Sequence, residues 1–180
     1  MKEWNAVTFT NNLNGEFPDS PKPPVLTDDS RKAAARAMKL LLYKGRTRQE
    51  LRNRLLEEGF PEEQTSKAIE YCQSFGYVND EKYAENYISS MKFRKSRNMI
   101  RRELEDRGVT EEEISQAFDE VPYDEQELIE QLIRKKAGEP HEMDDKELRR
   151  TYGFLARKGF SSSEIWKALR TFQEASERQP

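Results

Sequence analysis

Apolar residues recur along this chain in short stripes of helical spacing, broken at nearly regular intervals by a glycine. In residues 100–118, IRRELEDRGVTEEEISQAF, Leu104 stands four positions before Gly108, and Val109 follows it. Ile114, Ala117 and Phe118 then form an i, i+3, i+4 stripe. Between the stripes, Thr110 and Glu113 have the spacing of a capping box, so the segment reads as two helices joined at a glycine. A helix that ends in the left-handed conformation ends at least cost on glycine, and the threonine and glutamate supply acceptors for the amides that a new helix leaves unpaired.

The same arrangement precedes and follows it. It recurs as Leu51, Leu55, Gly59, Phe60, Pro61, Gln64, Ala68 and Ile69, and again as Leu155, Gly159, Phe160, Ser161, Glu164, Ile165, Ala168 and Leu169. The three glycines lie 49 and 51 residues apart. Pro61 takes the place of Thr110 and Ser161, where its missing N–H would be unpaired anyway. Upstream of each glycine runs a further stripe: Ala34, Met38, Leu41 and Leu42; Tyr83, Tyr87, Ile88 and Met91; Leu128, Ile129, Leu132 and Ile133. The third unit carries extra residues, placed in 135–144 by Gly138 and Pro140.

These patterns predict helices over 30–43, 47–58, 62–75, 80–94, 97–107, 111–120, 124–137, 144–158 and 162–176. Thr47 with Glu50 forms another capping box, and Asn79 or Asp80 caps the fourth helix. The fold class is all-α: a tandem array of three three-helix repeats over 30–79, 80–122 and 123–176. Residues 1–29, with four asparagines, Pro18, Pro21, Pro23 and Pro24, are expected to form a flexible tail. Residues 4–10 carry a partial alternation that hints at a short strand. The array is expected to be elongated and curved, roughly 60–75 Å long if each repeat adds about 20–25 Å.

Composition sharpens this picture. With 34% apolar and 36% charged residues the chain suits thin local cores better than one large one. No apolar run could cross a bilayer and nothing resembles a secretory signal; with Cys72 as the single cysteine, this points to a cytoplasmic protein. The net charge of −3 conceals a strong asymmetry. Residues 31–54 hold nine basic residues against one acidic, and residues 92–102 hold six against none. Residues 111–147 hold fourteen acidic against four basic. Such a molecule, positive on one side and negative on the other, suits a partner of mixed charge, such as a protein that carries DNA.

Two successive repeats place cations at the same turn, which in a stacked array aligns them on one surface. Lys44, Arg46, Arg48 and Arg52 do so in the first repeat, and Lys92, Arg94, Lys95, Arg97, Arg101 and Arg102 in the second. These ten residues form the candidate binding face, for phosphate or for acidic patches on a partner. A base-reading helix is not indicated. The helix after Gly59 has Lys67 against Glu62, Glu63 and Glu70, and the helix after Gly108 opens on three glutamates. Tyr71, Tyr77, Tyr83 and Tyr87 could stack bases, but their neighbours Phe75, Ile88 and Met91 argue for packing between the first two repeats. Trp166 is expected as a partly buried cap on the last repeat.

Nothing supports catalysis. His141 is the only histidine, Cys72 has the spacing of Ile69 and Phe75 and reads as a small core residue, and neither a phosphate-binding loop nor a dinucleotide fingerprint is present. No cofactor is expected.

Three segments in three different repeats carry a family resemblance: residues 40–51, LLLYKGRTRQEL, residues 76–84, GYVNDEKYA, and residues 153–160, GFLARKGF. Together they resemble the RecX family, regulators of the bacterial recombinase RecA, over about residues 31–175. Ser96 departs from the pattern, standing where the family often has glycine. The resemblance implies tandem three-helix repeats and a protein that docks in the groove of the RecA filament on DNA. There it would inhibit ATP hydrolysis, strand exchange and filament growth. It would act without catalysis of its own, as a monomer, touching DNA weakly or indirectly. The alternatives are a non-specific DNA-binding helical protein that needs no recombinase, and a helical scaffold for some other protein.

Overall fold

A computed structural model describes residues 23–177, and the tail and strand expectations for residues 1–22 lie outside them. Among the described residues there are nine helices and no strand. They are α1 (Asp28–Tyr43), α2 (Arg48–Glu57), α3 (Glu62–Ser74), α4 (Asp80–Met91), α5 (Arg97–Glu105), α6 (Glu111–Glu120), α7 (Glu125–Ala137), α8 (Asp145–Arg157) and α9 (Ser162–Glu177). α1 begins two residues ahead of expectation because the Thr27 hydroxyl caps it, accepting from the Ser30 amide.

Each helix packs along its length against the other two of its own triplet, α1 on α3, α4 on α6 and α7 on α9 most extensively. Three separate cores result. The first gathers Ala33, Ala37, Leu51, Leu55, Ala68 and Cys72; the second Ala84, Ile88, Ile100, Leu104, Ile114 and Phe118; the third Ile129, Ile133, Leu155, Ile165, Leu169 and Phe172. Cys72 is fully buried, and burial pushes its thiol up to about 11, so it packs as an inert apolar group.

The stripes of α4 and α7 lie where expected, with Ile88, Leu128, Ile129 and Ile133 buried. The α1 stripe needs correction. Its buried face runs through Ala33, Ala34, Ala37 and Leu40, with Met38 and Leu41 at its margin, while Leu42 is 69% exposed. The alanines at 33–35 and 37 give no large side chain to fix the inner face, and small residues let α1 approach α3 closely.

The glycine turns and capping boxes form as the sequence predicts. Thr47 with Glu50 and Thr110 with Glu113 are complete boxes, Ser161 and Glu164 exchange the same two bonds, and Asn79 caps α4. After each of α2, α5 and α8 the chain closes with an amide bond reaching back five residues: Phe60 to the Leu55 carbonyl at 3.2 Å, Val109 to Leu104 at 3.1 Å, Phe160 to Leu155 at 3.4 Å. The glycine between has φ of +89°, +78° and +84° at Gly59, Gly108 and Gly159.

These glycines differ in one respect. A methyl group on Gly59 would meet nothing within 4 Å, whereas on Gly108 it would lie 2.5 Å from the Gln49 Cβ of the preceding repeat. Gly59→Ala should cost about 1–2 kcal/mol from backbone strain alone, and Gly108→Ala roughly 1–3 kcal/mol more from the collision. Urea unfolding measures both; equal losses would mean that the turn at Gly108 is not packed against α2.

Candidate functional site

The ten cations of the candidate face have very different surroundings, and the differences follow from how one repeat meets the next. The first turn of α2 inserts into the second repeat. Thr47, fully buried, caps its own helix and donates its hydroxyl proton to the Arg107 carbonyl at 2.6 Å, just ahead of Gly108. The Arg48 amide, one of those a helix start leaves without an internal partner, donates to Asp80 Oδ1 at 2.9 Å. The Arg48 guanidinium reaches Asp80 Oδ2 at 3.0 Å and Glu113 Oε1 at 2.6 Å. Burial lifts the Asp80 carboxyl above its ordinary range even against the two Arg48 bonds, while the Asp80 bond holds Arg48 more firmly protonated. The carboxylate carries the cost of this pair, because its side chain is wholly inaccessible and that of Arg48 is 37% exposed.

The joint between the second and third repeats repeats the design. Ser96 caps α5 and donates to the Lys158 carbonyl at 2.9 Å, just ahead of Gly159. The Arg97 amide donates to Glu125 Oε1 at 2.7 Å, and Asn98 adds a bond to the Gly159 carbonyl at 3.0 Å. The Arg97 guanidinium lies over the rings of Phe118 and Tyr123, 4.5 and 5.5 Å from their centres. The departure noted at position 96 is thus a working residue: a serine here supplies both a cap and a tie to the next repeat.

Glu125 and Glu164 share this second joint. Burial, with Glu164 beside it, pushes the Glu125 carboxyl up to about 7. Burial also works to raise Glu164, but hydrogen bonds from Ser161 and Glu125 outweigh it and hold that carboxyl below the usual range. Glu125 therefore gives up its proton less readily than Glu164.

The remaining cations divide into two groups. Arg52 pairs with Glu62 and Arg101 with Glu111. Lys95 holds both oxygens of Glu103, at 2.5 and 2.7 Å, and Lys92 donates to the Pro122 carbonyl at 3.0 Å. Lys44, Arg94 and Arg102 are exposed and make no ion pair among the described residues. Arg46 is half-buried, and its Nε is buried without a hydrogen-bond partner. Spacing located the basic turns but did not separate joint residues from free ones. Glu125 was not singled out, and Asp80, Glu113 and Glu164 were read only as helix-start residues; the available signal was an arginine directly after a hydroxyl cap, Thr47-Arg48 and Ser96-Arg97, in two successive repeats.

The tyrosines also sort by repeat. Tyr71 and Tyr77 pack against the first core, Tyr83 and Tyr87 against the second. Tyr77, Tyr83 and Tyr87 in addition line a cleft between the two repeats, the part of the expectation that holds. Trp166 is 47% exposed, beside Tyr152 at 5.3 Å. His141 donates its Nδ1 proton to the Glu139 carbonyl at 2.8 Å and places Nε2 2.9 Å from Glu147 Oε2, and no group of three or more potential metal ligands occurs among the described residues. No described helix is long and apolar enough to cross a membrane.

Family models agree with this partition. The RecX first, second and third three-helix domains match residues 33–72, 79–117 and 123–169, in that order. The chain is 35% identical over 148 residues to the regulatory protein RecX of Amycolatopsis mediterranei, covering 80% of this chain and 83% of that one. It is 35% identical over 135 residues to that of Trichlorobacter lovleyi, covering 72% and 88%. The crystal structure of RecX from Lactobacillus salivarius superposes with a TM-score of 0.73 at 25% identity, covering 82% of this chain and 98% of that one.

Two measurements check the joints. Arg48→Ala leaves Asp80 with only the amide bond and should lower unfolding stability by about 2–4 kcal/mol. A double-mutant cycle with Asp80→Ala should recover about 1–3 kcal/mol of coupling, and no coupling would show the pair to be incidental. For Glu125, the unfolded chain releases the proton near the ordinary value of 4.5 and the folded chain near 7. Between these values the folded state binds more protons, so this group makes stability fall as pH rises through that window. Glu125→Gln should flatten the profile of melting temperature from pH 5 to 8; an unchanged slope would remove Glu125 as its source.

Proposed function

The chain belongs to the RecX family, which makes it a regulator of RecA, and we propose that it restrains the recombinase by lying in the helical groove of the RecA filament on DNA. There it slows ATP hydrolysis and strand exchange and opposes filament growth. The observation that carries this reading is the match of all three RecX three-helix domains, in order, over most of the chain. A tandem array of three small cores is suited to bridging more than one subunit of a filament, which a single compact domain of this size is not.

On this reading the protein acts by binding alone, as a monomer in the cytoplasm, with no cofactor and no catalysis. The contact is made by the part of the basic face that the joints leave available: Lys44, Arg46, Arg94 and Arg102, with Lys92 at its edge. Arg48 and Arg97 serve it indirectly, by fixing the angle at which successive repeats present those cations. Arg52, Lys95 and Arg101 contribute to the positive field while bound to their own carboxylates. DNA, if touched, is touched weakly, since the overall charge is −3 and each acidic helix start turns phosphate away.

Titration of the protein into RecA hydrolysing ATP on single-stranded DNA should lower the rate at concentrations where bare DNA in the same buffer stays unbound. The double reversal Arg94→Glu with Arg102→Glu should raise the half-inhibiting concentration about tenfold or more, since a charge-assisted contact is worth about 1.5–3 kcal/mol. A fall in rate only where bare DNA is already coated would favour plain DNA competition. No fall at all would refute the filament reading.

A further inference from the structure

Between the first and second repeats lies an open cleft of about 500 Å³. One wall is the end of α1 and its turn, from Leu41 to Arg46; the other is the face of α4 that bears Tyr83 and Tyr87, with the Gly76 turn at the base. Three observations set it apart. Leu42 and Tyr43, adjacent on its rim, are 69% and 92% exposed, which is unusual for two neighbouring large apolar side chains. Arg46 reaches into it with a buried Nε that nothing accepts. Lys44, between them, makes no ion pair among the described residues.

We propose that this cleft docks an extended acidic segment of a partner protein, with one carboxylate on the Arg46 guanidinium and one apolar side chain against Leu42 and Tyr43. The Arg46 guanidinium makes no ion pair among the described residues, and a carboxylate is the group whose geometry answers it. Aromatic and aliphatic anchors beside an arginine are what concentrated protein-binding energy uses. A nucleic acid fits less well. Its backbone needs a track of cations, whereas Lys82, the third cation here, is held by Glu85 at 2.5 Å. The proposal deepens the reading of Lys44 and Arg46 as binding residues, and its test is separable. A chain that takes an acidic peptide without slowing ATP hydrolysis keeps the cleft and loses the filament; the converse result does the opposite.

Fluorescence anisotropy on the full chain tests it with three labelled probes: a peptide of about ten residues with Leu-Phe flanked by Asp and Glu, the same peptide with Ser flanks, and a thymidine oligonucleotide of equal length. The acidic peptide should bind about tenfold tighter than either of the others, and Arg46→Gln should weaken it about tenfold. Leu42→Ser, a change at an exposed position that the fold does not need, should weaken it comparably, while Arg149→Gln, remote in the third repeat, should not. Circular dichroism confirms that each variant is folded. Absence of binding, or binding indifferent to both cleft variants, overturns the proposal; tighter binding of the oligonucleotide, lost in Arg46→Gln, gives the cleft to nucleic acid instead.

Discussion

The architecture depends on one bond made twice: the first amide of a repeat's second helix donates to a buried carboxylate on the first helix of the next repeat. Asp80 serves Arg48 in this way and Glu125 serves Arg97. A helix start has amides that its own turn cannot satisfy, and a carboxylate placed there meets both the orphan donor and the positive end of the helix dipole. Because each acid also lies in the first turn of its own helix, it answers two helix starts at once. Burial makes the arrangement specific. A carboxylate this inaccessible tolerates no loss of partner, so the repeats have one register in which they can meet.

This constraint divides the basic face. An arginine at the first position of α2 or α5 is as cationic on paper as one in a loop, yet Arg48 is committed to two acids and Arg97 to two aromatic rings. Of the ten cations of the candidate face, Lys44, Arg94 and Arg102 are exposed and make no ion pair among the described residues. Large apolar side chains are also exposed near these turns, at Leu42, Tyr43 and Phe93.

Much of the fold was legible in the sequence because its determinants are local. Gly108, Thr110 and Glu113 mark a helix end and a helix start by chemistry that involves only near neighbours, and the repetition of that signature at Gly59 and Gly159 located three repeats. The α1 stripe was right at Ala34, Met38 and Leu41 and misplaced Leu42, because a run of alanines has no preferred inner face until α3 packs against it. The site was less legible because pairing crosses 32 residues from Arg48 to Asp80 and 65 to Glu113. A single sequence records a charge but not its partner, and a charge run can be solvated surface, joint or binding face with the same letters.

The two joints are closed differently. In the first, one arginine spans two carboxylates, Asp80 at 3.0 Å and Glu113 at 2.6 Å. In the second, the Arg97 guanidinium is turned towards aromatic rings, and burial with Glu164 nearby raises the Glu125 carboxyl to about 7. In the third repeat, Asp144 and Asp145 stand where the joints have a hydroxyl cap and an arginine, so the start of α8 carries acids where α2 and α5 carry a cation.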